Sequence, residues 1–223
     1  MSTALTVLRK DLLLELRSLE TIPTMVLFSI VTFVIFHFGL NRATIDGQLA
    51  AGVLTVTMLF AAMLGINRLF VAEREQGGFD AFLLAPVDRT ALLVAKAAAL
   101  FIFLAVLEVI AVPAFKVFLL GPSVTRPLPG LAAVLALADL AFAVIGTLVS
   151  AIAVHTRARD LTGPLIGLPL LIPALIATAR AAGPLLTARH SASPPGKWVA
   201  VLALYDLVFA LLAYAVFDFL LED

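Results

Sequence analysis

Of 223 residues, 62% are apolar and 13% charged, with a mean hydropathy of +1.12, whereas a soluble domain has roughly 45–50% apolar and about 25% charged residues. A formal net charge of zero and a pI near 6.8 give no field to draw in nucleic acid. With no cysteine in the chain, disulfides, thiolate metal sites and thiol nucleophiles are excluded.

The composition is that of an integral membrane protein, and the first 20 residues, with three bases and three acids, do not follow the pattern of a cleaved signal. Residues 4–20, ALTVLRKDLLLELRSLE, set Leu5, Leu8, Leu12, Leu16 and Leu19 at helical spacing, with Arg9, Glu15 and Arg17 turned elsewhere. The pattern predicts an amphipathic helix lying in the membrane interface, or else a short helix packed on a partner.

A span needs roughly 20 residues with few charges. Residues 22–40 and 48–66 meet this with no ionisable side chain other than His37. The segment 93–120 contains Glu108, Pro113 and Lys116, and reads as a kinked span or a span followed by a partial re-entry. Residues 128–154 enclose Asp139, 161–179 follow, and 198–221 enclose Asp206. The expected fold is therefore all-α: a polytopic membrane protein with six transmembrane helices plus the N-terminal interfacial helix, forming one domain over 1–223.

Six spans place both termini on one side. Cytoplasmic loops are enriched in Lys and Arg; with the N-terminus inside, nine of the 15 bases are cytoplasmic and six external. The first half of the chain carries this bias, while the loop 179–197, ARAAGPLLTARHSASPPGK, runs weakly against it. The expected orientation has both termini in the cytoplasm.

Between the second and third spans lies 70–96, FVAEREQGGFDAFLLAPVDRTALLVAK, read as a cytoplasmic hinge of helix, turn, short helix and turn. Glu73 and Glu75 can offer carboxylates to a basic groove, and Gly77 and Gly78 permit a sharp turn. Phe79, Phe82, Leu83 and Leu84, interrupted by Asp80, form an apolar knob that a partner or the interface must cover, and Pro86 fixes its exit. Arg89 and Lys96 lead back into the membrane.

The chain has no phosphate-cradling loop: its only Gly-Lys pair, Gly196-Lys197, lacks the earlier glycine and is followed by Trp198. Any nucleotide would belong to another subunit. His37, His155 and His190 are scattered without metal-site spacing; His37 is read as an interfacial polar residue or an axial contact to a haem. Glu108, Asp139 and Asp206 fall inside spans, where an ionisable group costs at least about 2.5–3.5 kcal/mol and turns toward protein or water. Glu108 and Asp139 either line a polar cavity or tie helices together. Gly163 and Gly167 form a small-xxx-small pair, yet Pro164, Pro169 and Pro173 in the same span favour a kinked, packed helix over a regular dimer face.

The hinge is similar to the inner loop of the ABC-2 class of ABC transporter permeases. Within that class, six short spans and an amphipathic N-terminal helix resemble the haem exporter permease, protein B of the cytochrome c maturation system. Phe70, Glu73, Gly77 and Asp80 occupy matching places in that family's loop, with Gln76 where a second acid would stand. The resemblance implies a non-catalytic homodimeric subunit bound to a soluble ABC ATPase, which holds the ATP, and to other cytochrome c maturation membrane proteins that handle haem. No cofactor is expected in this chain itself, and the partners include membrane lipid but no nucleic acid. The first rival is a permease of the same class for lipid, drug or polysaccharide; deleting the gene would spare c-type cytochromes in that case. The second is an intramembrane enzyme using Glu108 and Asp139 as acid and base, revealed by activity of the purified chain without an ATPase.

Overall fold

A computed structural model of the chain describes residues 3–40, 42, 44–70, 89–121, 128–154, 159–187 and 194–220, and all regular structure among them is helical. The elements are α1 (Thr3–Ser18), α2 (Thr21–Gly39), α3 (Gly47–Arg68), α4 (Arg89–Phe115), α5 (Leu128–Val154), α6 (Arg159–Ala182) and α7 (Gly196–Leu220). A π-helical turn, Lys116–Leu120, extends α4, and a 3-10 turn, Gly183–Leu186, extends α6. Six helices, α2 to α7, are long and apolar enough to cross a membrane. This makes the chain an all-α polytopic membrane protein.

In the spans, 72% of the central stretch of α3 and of α5 is buried inside the protein, against 17% for α2 and α7. The inner pair therefore forms the core and the outer pair faces the surroundings. Lipid tails are as apolar as leucine, so such helices associate by close packing of small residues. Ala50, Ala61 and Gly65 on α3, and Ala138, Ala143 and Gly146 on α5, supply them, all buried. Helix α5 touches α3, α4, α6 and α7.

A hydroxyl within the bundle has no bulk water to turn to. Ser29, Thr57, Thr147 and Thr178 each donate to the carbonyl four residues back in their own helix at 2.7–2.9 Å. Ser150 instead donates across the core to the Ile66 carbonyl at 3.0 Å, joining α5 to the last turn of α3.

Helix α4 passes through Pro113 without re-entry. Proline cannot donate to the carbonyl four residues earlier, and the wider π-helical turn that follows takes up the change in register. That turn closes with the Gly121 N–H donating to the Lys116 carbonyl at 3.0 Å. Gly121 has a φ of 68°, which suits glycine, and a Cβ there would lie 2.8 Å from Thr44 Cγ2. The same end is tied down twice more: the Ile45 N–H donates to the Leu119 carbonyl at 2.8 Å, and His37 Nδ1 lies 2.6 Å from the Phe118 carbonyl. Since a carbonyl only accepts, Nδ1 of His37 must carry the hydrogen, which makes the imidazole a tie between α2 and α4.

The three prolines of α6 likewise lie within one helix, Arg159–Ala182. Of the paired glycines, Gly163 sits tightly against α3, where a Cβ would fall 2.8 Å from Asn67 Oδ1; at Gly167 the nearest atom would be at an ordinary 3.6 Å.

Candidate functional site

The leucine stripe of α1 is split: Leu8 packs against the core, while others turn outward. Leu5, Leu16 and Leu19 are 47%, 68% and 61% exposed, while the residues α1 buries are Val7, Asp11 and Glu15. Glu15, which the spacing turned away from the packed face, is therefore on it. A helix in the interface has lipid on one side, so its outer leucines need no protein contact and its acids can share the inward face with Val7.

Those acids have work there. Glu15 Oε1 accepts from the Ile22 N–H at 2.7 Å, satisfying one of the orphan donors at the start of α2. Asp11 reaches Lys96, with Oδ2 2.9 Å from Nζ and the two side chains only 9% and 2% exposed. The geometry is that of an ion pair lying off the ideal hydrogen-bond direction. Asp11 Oδ1 also lies 3.1 Å from Lys10 Nζ on the wetter side.

Lys96 stands two turns into α4 and is 1% exposed. In the sequence it reads as a base leading into the membrane from a wetted hinge; it is instead fully buried, because its long stem folds under the end of α3. Its Nζ donates to the Leu69 carbonyl at 2.9 Å and lies 5.1 Å from the centroid of the Phe70 ring. The ammonium thus binds α1, the exit of α3 and its own helix α4 into one node. A second ion pair, Arg68 to Glu20 at 2.6 Å, bridges the same region but is exposed and contributes little.

The node sits at the stem of the sequence-predicted hinge. Phe70, the first hinge residue, is described and buried at 2% exposure. Glu73, Glu75, Gly77, Gly78, Phe79, Asp80, Phe82, Leu83 and Pro86 lie outside the described residues.

The intramembrane acids fall in two places. Glu108 on α4 and Asp139 on α5 come together across the contact between the two helices. Each keeps one buried oxygen, Oε1 and Oδ2, with no hydrogen-bond partner. Glu108 lines a cavity, whereas Asp139, at 1% exposure, stands behind it. Asp206 on α7 is 3% exposed and neither of its carboxylate oxygens is hydrogen-bonded. Beside it, the Tyr205 hydroxyl donates to the Leu170 carbonyl, fixing α7 on α6. Among the described residues there is no group of three or more His, Asp or Glu able to hold a metal ion.

Asp11 and Ser150 are the residues that sequence reasoning passed over. Asp11 is one of two acids in a charged amphipathic helix, and its partner is 85 positions away. No local signal marks such a pair.

A bundle of six membrane-length helices, with a buried ionic node at one end, defines a polytopic membrane protein. The chain belongs to the CcmB protein family, whose model it matches over residues 2–219. Its relatives include Heme exporter protein B of Rhodobacter capsulatus, 31% identical over 173 residues, covering 76% of this chain and 77% of that protein. Proteins of the same name from Paracoccus denitrificans and Pseudomonas aeruginosa are each 29% identical, over 188 and 169 residues. These alignments cover 84% and 75% of this chain, and 82% and 74% of the respective relatives.

Proposed function

We propose that this chain is the membrane-embedded, non-catalytic subunit of a complex for haem export and cytochrome c maturation in the bacterial inner membrane. Family membership and the name shared by its relatives support the cargo assignment. In this reading both termini are cytoplasmic, the subunit works as a homodimer, and residues 70–86 dock on a soluble ABC-type ATPase that binds the ATP. Other maturation proteins in the membrane handle haem with it.

The observation that carries the coupling part is the buried Lys96 node. A segment that transmits a push needs a stiff stem, and here the exit of α3 and the start of α4 are joined through one desolvated ammonium held by Asp11 and the Leu69 carbonyl. A displacement at 70–86 would therefore move α3 and α4 together rather than bend the stem. Glu73 and Glu75 then supply charge for the contact, Phe79, Asp80, Phe82 and Leu83 its body, and Gly77, Gly78 and Pro86 its shape.

Co-purification tests the reading. Gly77→Pro and Glu73→Lys are expected to abolish recovery of the ATPase with this subunit while leaving the protein in the membrane at its normal level. Retained ATPase binding in both variants contradicts the docking assignment.

A further inference from the structure

Helix α1 is close to charge balance in the sequence, with Arg9, Lys10 and Arg17 set against Asp11 and Glu15. Folding separates the two sets. Asp11 and Glu15 are both buried, Asp11 against Lys96 and Glu15 against the first turn of α2. Arg9, Lys10 and Arg17 stay exposed, so the outward side of α1 carries bases and no acid. The next acid along the chain, Glu20, is matched by Arg68. Lys10 also lies 3.1 Å from Asp11 Oδ1, whereas Arg9 and Arg17 pair with no acid among the described residues.

Arg9 and Arg17 are eight residues apart, about 12 Å along the helix at 1.5 Å per residue, with Leu13 between them. With Thr6, Lys10 and Leu14 they line one shallow hollow on the surface of α1. Leu5, Leu13 and Leu16 are exposed on the same outward side. Two contacts fix the level at which this surface lies: Glu15 reaches the Ile22 N–H, in the first turn of a membrane-spanning helix, and α1 packs along α4. Leucines and bases interleaved at the end of a span meet acyl chains and headgroups together. An acidic soluble protein would match the bases but leave the leucines at the hydrocarbon edge without an apolar cover. Charge then selects among headgroups, because a zwitterionic lipid brings its own cation to its phosphate while an anionic one leaves the phosphate for the protein.

We propose that α1 is a docking surface for anionic phospholipid, with the phosphates on Arg9 and Arg17, Lys10 adding to the attraction, and the acyl chains against Leu5, Leu13 and Leu16. The surface depends on neither the cargo nor the ATPase docking proposed above, and its failure would leave both standing.

Quenching by brominated lipid tests the proposal on the full chain. The protein is reconstituted in vesicles of equal phosphatidylglycerol and phosphatidylcholine, with bromine on the acyl chains of one or the other. A fluorescent probe on Ser18→Cys, in a chain with no cysteine of its own, reads the lipid at α1. Trp198, the single tryptophan, reads the lipid at the opposite end of the bundle. Brominated phosphatidylglycerol is expected to quench the probe more strongly than brominated phosphatidylcholine. Arg9→Gln with Arg17→Gln should lower that preference about fivefold or more, since one base near an anionic surface contributes about that factor. Arg9→Lys with Arg17→Lys keeps the charge and should stay within about twofold. Both pairs change exposed side chains only, and neither should alter the quenching of Trp198. The proposal is overturned if the probe shows no preference for phosphatidylglycerol in the parent chain, which would assign the face to a soluble partner. It is equally overturned if the Gln pair keeps the preference, or if Trp198 loses it to the same extent.

Discussion

At Gly146, α5 packs against Ile66 of α3 and Leu100 of α4, and a single methyl group there probes the crossing. A Cβ at 146 would lie 2.5 Å from Ile66 Cγ1, 2.7 Å from Ile66 Cδ1 and 3.1 Å from Leu100 Cδ2. Ile66 and Leu100 are 1% and 0% exposed, so neither can swing into open space. Overpacking of this kind costs about 1–3 kcal/mol, and the better helix propensity of alanine offsets about 1 kcal/mol of it. Gly146→Ala should therefore destabilise the protein by about 1 kcal/mol, and Gly146→Val by more. Ile66→Ala alone removes the atoms in the way and leaves a cavity costing about 2–5 kcal/mol. Combined with Gly146→Ala, the new methyl enters the vacated space, so the double variant should be more stable than the sum of the singles by about 0.5–3 kcal/mol. The assay is a double-mutant cycle on unfolding midpoints in mild detergent. Strict additivity, or a Gly146→Ala variant more stable than wild type, refutes the close crossing.

The ionic node makes a second prediction. Asp11→Asn leaves Lys96 buried without its counter-ion, a loss of about 3–5 kcal/mol, whereas Asp11→Leu with Lys96→Met removes both charges and should recover most of that. Thermal melts of the single and double variants check it, and a single variant within about 0.5 kcal/mol of wild type contradicts it. Third, Glu108→Gln keeps a polar side chain of the same size beside Asp139, so assembly of the complex should be normal while c-type cytochrome formation falls. Loss of assembly as well would assign the pair to holding helices together.

Much of the architecture was legible because a membrane-spanning helix is marked by composition alone: about 20 apolar residues in a row need no partner to be recognised. What composition leaves out is which face of a helix turns inward. The leucine spacing in 4–20 identifies α1, but in a bilayer the apolar face belongs to the lipid, so Asp11 and Glu15 are the residues that pack. Lys96 looks like one more base at a loop end, since its burial depends on Asp11 and Leu69, both remote in sequence. Pro113 reads as a kink or a re-entry because the π-helical turn that absorbs it has no signature of its own. Glu108 and Asp139 stand out as misplaced acids; that they meet across the α4–α5 contact follows only from the packing. For residues 71–88 the sequence pattern remains the whole basis of the reading.

Since the chain contains no cysteine, single cysteines can report its orientation without background. Asp80→Cys, in the hinge, and His190→Cys, in the loop after α6, should react oppositely with a membrane-impermeant maleimide. The account predicts that Asp80→Cys is labelled only in inside-out vesicles, and His190→Cys only in spheroplasts. Labelling of Asp80→Cys in intact spheroplasts would put the hinge on the far side of the membrane from any cytoplasmic ATPase.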